Sequence, residues 1–203
     1  MATHAQLPEL FLHDHFEAKR EFFKMFGAAF RIYSYDGRLL AYSKQKAFKL
    51  KEDIRVFADE AQTIELMNIR ADRVIDFSAN YRVVDSRTGE VYGSLRRKGW
   101  SSLFRDQWEI LDDQGIVRGR IIEESAWKAF FRRMNEILAM CMPQTFLLEV
   151  GGVTVAKMKQ RFRWFTQEFD VDLSLDQDSL LPRPLAVAGV ILLLAIEGKQ
   201  SGG

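Results

Sequence analysis

The chain of 203 residues has one cysteine, Cys141, four prolines and three histidines. One thiol cannot close an intrachain disulfide and provides no thiolate set for structural zinc, so a reducing compartment is expected. The histidines, His4, His13 and His15, all precede the body of the chain. A His-x-His pair supplies two ligands, which do not make a metal site. Long apolar runs are absent: nothing reaches the ~20 residues that a membrane span needs, and Met1 to Pro8 has neither the basic flank nor the apolar stretch of a secretory signal. An excess of one charge is absent too. Lys and Arg number 29 against 28 Asp and Glu, a formal net charge of +1. No whole-molecule field therefore draws nucleic acid or an anionic membrane, and such a partner needs a local patch. The chain also lacks a glycine-flanked serine elbow with a downstream histidine, and both common glycine-rich phosphate loops. Neighbouring acids, Asp112-Asp113 and Glu123-Glu124, fall at a turn and a helix start, where acids cap and solubilise. No catalytic residue, cofactor or metal is assigned, and the protein reads as non-enzymatic.

What is present is a β pattern repeated four times: an aromatic, an aliphatic two residues later, a turn with glycine, and a second alternating run. The instances are Phe30, Ile32, Asp36-Gly37 and Leu39 to Tyr42; Tyr81, Val83, Thr88-Gly89 and Val91 to Leu95; Trp108, Ile110, Gly115 and Val117 to Ile121; and Phe146, Leu148, Gly151-Gly152 and Val153 to Met158. Each predicts a hairpin, and Asp36-Gly37 is the strongest turn signal, because glycine reaches positive φ without steric cost. Further strands are predicted at Phe48 to Leu50, Ile54 to Phe57, Ile64 to Ile69, Val74 to Phe77 and Phe165 to Leu173. About a dozen short strands with frequent turns, irregular spacing and no linker predict one domain over 1–203, a sandwich or a barrel.

Three segments break the pattern. Asp14 to Gly27 has capping-box spacing at Asp14 and Glu17, yet its aromatics follow helical spacing only loosely, so helix and strand are rivals there. In Glu124 to Met142, residues Trp127, Phe130, Phe131, Met134, Ile137, Leu138 and Cys141 recur at helical spacing before Pro143. This predicts an amphipathic helix with Cys141 as an inert thiol on its apolar stripe. Leu185 to Ile196 reads LAVAGVILLLAI, without one polar side chain. At ~1.5 Å per residue it is roughly 18 Å long, too short for the ~30 Å hydrocarbon core of a bilayer. A helix at about 184–197 with no polar face must be enclosed by protein, and the curled sheet is its container. The expected fold is mainly β, with about 12 strands around this helix and one or two peripheral helices.

The stretches FRIYSYDGRLLAYSKQKAFKLKEDIRVF, YRVVDSRTGEVYGSLRRKGWSSLFRDQWEILDDQG and FTQEFDVDLSLDQDSLLPRPLAVAGVILLLAIEG carry a resemblance. The chain resembles the tubby C-terminal domains, the phospholipid scramblases and the LURP-one-related proteins, and within that group it is similar to bacterial single-domain members. The resemblance implies a twelve-stranded barrel around a C-terminal helix. Scramblases carry an acidic segment before that helix, proposed to bind calcium. Here Asp170, Asp172, Asp176 and Asp178 occupy the neighbourhood, but their spacing reproduces neither that segment nor an EF-hand loop. In tubby relatives basic residues on the barrel surface hold a phosphoinositide, which supplies a ligand class for the basic runs of this chain.

Those runs are Arg96, Arg97 and Lys98 followed by Trp100; Lys128, Arg132 and Arg133 beside Trp127, Phe130 and Phe131; and Arg161 and Arg163 with Trp164. Basic side chains beside aromatics suit a phosphorylated headgroup at an interface. The expected function is a binding or scaffolding module for an anionic phospholipid or phosphoinositide surface, cytoplasmic or peripheral at a membrane. Arg96, Arg97, Lys98, Lys128, Arg132 and Arg133 are its candidate site. The alternative is a protein-interaction adaptor docking through the 124–142 helix. No nucleic-acid partner is expected.

Overall fold

The computed structural model describes residues 7–23, 27–45, 53–72, 79–97, 108–124, 144–161 and 166–196. Within them the strands are β1 (His15–Phe23), β2 (Gly27–Ser34), β3 (Leu39–Gln45), β4 (Asp53–Phe57), β5 (Glu65–Ala71), β6 (Asn80–Asp85), β7 (Val91–Arg97), β8 (Trp108–Leu111), β9 (Val117–Glu123), β10 (Thr145–Val150), β11 (Val153–Arg161) and β12 (Thr166–Asp172). A 3-10 turn, Glu9–Leu12, precedes them and helix α1, Arg183–Ile196, follows. The strands pair antiparallel in sequence order, and β1 closes on β12 to complete a barrel. Closure removes the unpaired edges that an open sheet of this size would present.

All four predicted hairpins form, as β2–β3, β6–β7, β8–β9 and β10–β11. Gly37 adopts φ +84 in the first turn, as a tight hairpin requires. Within the segment 14–27, His15–Phe23 is strand β1 and Gly27 opens β2, so the helical alternative is wrong for the described part; 24–26 lie outside the described residues. Phe16, Ala18 and Arg20 point inward and are buried, while Glu17, Lys19 and Glu21 alternate outward. Period 2 wins over the capping-box spacing because β1 is the strand that closes the barrel, pairing with both β12 and β2. The predicted helix 124–142 and the strands 48–50 and 74–77 lie outside the described residues.

The lumen is filled by α1. Leu185 to Ala188 and Val190 to Ala195 are at most 3% exposed and pack with Phe16, Phe30, Ile69, Leu95, Ile121 and Phe169 of the wall. Pro184 sits in the first turn of α1, where its missing N–H costs nothing. At Gly93, with φ +136, a Cβ would lie 2.3 Å from the Leu111 carbonyl oxygen and 3.0 Å from Leu185 Cδ1. The wall is thus pared to backbone there, so that β8 and α1 can both approach.

Outside, the wall is charged at its midline, as at Lys19, Arg31, Arg82, Glu109 and Arg120. An apolar lumen with a charged exterior inverts the alternation of a barrel embedded in lipid. Among the described residues no helix is long and apolar enough to cross a membrane.

Candidate functional site

Antiparallel winding sorts the connections into two sets. The segment leading into α1 and the turns β2–β3, β4–β5, β6–β7, β8–β9 and β10–β11 lie at one end, which we call the entrance. The other six inter-strand connections join strands at the end where α1 finishes, the exit. The entrance connections contain two Lys or Arg against eight Asp or Glu, and one aromatic residue, Tyr35. By sequence the exit connections contain eleven Lys or Arg against six Asp or Glu, with eleven aromatics. By sequence, the entrance connections are thus acidic and the exit connections basic and aromatic, although every Lys, Arg and aromatic residue of the exit connections lies outside the described residues.

Of the candidate residues, Arg96 and Arg97 lie at the exit end of β7. Arg97 is the last residue of β7 and Lys98 follows it; Lys128, Arg132 and Arg133 lie in the β9–β10 connection. Lys98, Lys128, Arg132 and Arg133, with the aromatics beside them, lie outside the described residues. Arg96 is not free: its Nε and Nη2 donate to Glu109 Oε2 at 2.9 and 2.6 Å. Register partners continue this pairing across three further strands, from Arg96 to Glu109, Arg120 and Glu149, with Arg120 and Glu149 2.8 Å apart. Arg161 is held by Asp170 at 2.6 Å and Glu17 at 2.9 Å, which together keep its guanidinium protonated.

Two arginines that sequence reasoning passed over are less committed. Arg70, next to the exit end of β5, stands directly opposite Arg82 of β6 on the outer face. Their side chains are 63% and 55% exposed, and the nearest carboxylates, Asp53 and Asp72, stand at 3.9 and 3.7 Å, beyond hydrogen-bonding distance. Like charges directly opposite on a sheet destabilise it, and an anion between them would offset that cost. The signal lay in the alternation of β5 and β6, readable only after their register is known.

The exit also holds a buried cation. Arg20, 1% exposed, reaches from β1 into the lumen, and its Nη1 donates to the carbonyl oxygens of Leu194 and Ala195 at 2.5 and 3.2 Å. The last carbonyls of a helix have no partner within it and carry its negative dipole end. A guanidinium there satisfies both needs, and its Cζ lies 5.6 Å from the centroid of the Phe30 ring. Burial lowers the Arg20 pKa to about 10, which leaves it charged at neutral pH.

Three of the four acids singled out before α1, Asp170, Asp172 and Asp176, have structural partners. Asp176 accepts from the backbone N–H of Leu180 and Leu181 at 2.7 and 3.0 Å, and Asp172 from that of Ser174 at 2.9 Å. Asp170 is the partner of Arg161. His15 stands 3.4 Å from Asp172 and stacks on Tyr35, and His13 is 3.6 Å from Glu9. Among the described residues no three His, Cys, Asp or Glu side chains gather as metal ligands would.

No family model and no curated protein matches the chain. Among solved structures, the X-ray structure of a protein from Arabidopsis thaliana is similar, with a TM-score of 0.49 and 12% identity over 92% of this chain and 95% of that one.

Proposed function

We propose that the protein is a non-enzymatic binding module that sets the exit end of its barrel against an anionic phospholipid surface, on the cytoplasmic side and peripheral to the membrane. What supports this most is the sequence composition of the two sets of connections, acidic at the entrance and rich in Lys, Arg and aromatic residues in those that join strands at the exit. Aromatic rings favour the headgroup level of a bilayer, and each Lys or Arg near an anionic leaflet contributes about 1 kcal/mol. Kinship with the tubby, scramblase and LURP-one-related group, which the sequence motifs suggest, makes a phosphoinositide the headgroup class.

In this reading Lys98, Lys128, Arg132 and Arg133 meet phosphates, and Arg96 does so by exchanging Glu109 for a phosphate, with Arg97 beside it at the end of β7. Arg70 and Arg82 extend the basic surface down the wall. A lumen packed with the aliphatic side chains of α1 leaves the outer surface as the place for recognition. Flotation with phosphatidylserine or phosphoinositide liposomes tests the reading. Binding should fall steeply between about 50 and about 200 mM salt. The double variant Arg70→Glu/Arg82→Glu should bind several-fold more weakly, and adding Arg132→Glu/Arg133→Glu should abolish binding. Equal binding to neutral liposomes would reject an electrostatic surface.

A further inference from the structure

The entrance end has a surface of its own. Nine large hydrophobic side chains are exposed among the described residues, and all nine lie at this end, Val117 and Val153 as the first residues of β9 and β11. Singly scattered exposed apolar residues need no explanation; confinement to one end does. Leu12, Tyr35, Leu175 and Leu180 belong to three segments that are tied together. Arg38 of the β2–β3 turn meets Glu9 of the 3-10 turn at 2.5 Å. Asp14 accepts from the Leu173 N–H at 2.7 Å and from Arg183 at 2.6 Å. A second group, Ile116, Val117 and Val153, occupies two neighbouring hairpin tips joined by the Gly151 N–H donating to the Arg118 carbonyl at 3.3 Å.

Carboxylates share this end. Asp59, Glu90, Asp113 and Asp178, one in each of four connections, make no ion pair with any described residue, whereas Asp36 is hydrogen-bonded by Ser34 and feels the charge of Arg38. An exposed apolar surface among unpaired carboxylates is complementary to side chains of the opposite pattern.

We infer that the entrance end docks a basic amphipathic protein segment, whose aliphatic face covers the Leu12, Tyr35, Leu175 and Leu180 group while its Lys or Arg side chains reach the surrounding carboxylates. The segment belongs to another protein. This inference does not rest on the lipid reading: it uses the opposite end of the barrel, and its assay contains no lipid.

The probe is a fluorescein-labelled amphipathic helix of Leu and Lys, followed by anisotropy against the full chain, with a Leu/Glu helix and a Ser/Lys peptide as controls. The Leu/Lys probe should bind and both controls should not. In Glu90→Gln/Asp113→Asn/Asp178→Asn the three carboxylates lose their charge without losing a hydrogen bond to any described residue, so the barrel should melt as before while affinity falls about tenfold. Leu12→Ser/Leu180→Ser should weaken binding comparably. Three outcomes would overturn the inference: unchanged affinity in the carboxylate variant, full affinity in the leucine variant, which would leave only diffuse charge attraction, or concentration-dependent self-association in sedimentation velocity that the carboxylate variant removes, since the occupant would then be a second copy of this chain.

Discussion

Where α1 begins, the chain turns on local hydrogen bonds; where it ends, a strand from the far end of the sequence supplies the cap. Asp59, Asp85, Asp112, Asp172 and Asp176 each accept backbone N–H groups from residues two to five positions further along. The carbonyls at the other end of α1 are met by a guanidinium 174 residues away in sequence. Local capping needs only the right residue within its own turn. The long-range cap forms only when β1 has closed the barrel, so it couples the position of the helix to completion of the sheet.

The sharpest way to break this contrast is at Arg20. Arg20→Leu keeps the volume and removes the donor, leaving two buried carbonyls unsatisfied, and should cost about 3 kcal/mol. Chemical denaturation would read it, and a loss below about 1 kcal/mol would mean that the cap is incidental. Gly93→Ala, at the entrance half, should cost about 2 kcal/mol or more, because both the positive φ and the Leu111 carbonyl oppose a Cβ. A loss below about 0.5 kcal/mol would show that the wall yields there.

Asp85 tests the local arrangement through pH. It is 2% exposed, and although burial alone would raise its pKa, hydrogen bonds from Arg87, Tyr92 and the backbone lower it to about 2. A carboxyl depressed from its usual 3.8 adds stability above that value and loses it as pH falls towards 2. The stabilisation at neutral pH amounts to about 2 kcal/mol. Asp85→Asn should therefore remove part of the acid limb of the stability profile; an unaltered limb would assign it to other acids. The Tyr92 hydroxyl, donating to Asp85 at 2.6 Å, has its pKa pushed well above the usual phenol value by burial and by that carboxylate. The smallest effect is expected at Arg96. Its pair with Glu109 lies on the outer wall with the arginine 43% exposed, so Arg96→Gln should cost less than about 1 kcal/mol. A larger loss would make the alternating belt structural rather than a surface feature.

The barrel was legible because its signals repeat. Alternation plus turn glycines marked four hairpins, and the all-apolar stretch from Leu185 to Ile196 demanded an enclosure. Segment 14–27 remained ambiguous from sequence because Arg20 occupies an inward position, interrupting the apolar face that Phe16 and Ala18 begin. A cation there makes sense only beside helix carbonyls that sequence spacing cannot bring near. The ion pairs of Arg96 and Arg161 were equally hidden, since their partners sit across a strand register. The contrast in composition between the two sets of connections was present in the sequence, but it can be sorted only once the winding assigns alternate connections to opposite ends.

The account stands most directly on which end meets the lipid. In a Cys141→Ser background, an environment-sensitive fluorophore would be placed at Thr145→Cys, the exit end of β10, or at Gln114→Cys in the β8–β9 turn of the entrance, and anionic vesicles added. The account predicts a blue shift and quenching by brominated lipid at position 145 and none at position 114. The reverse pattern, or equal shifts at both positions, would contradict it.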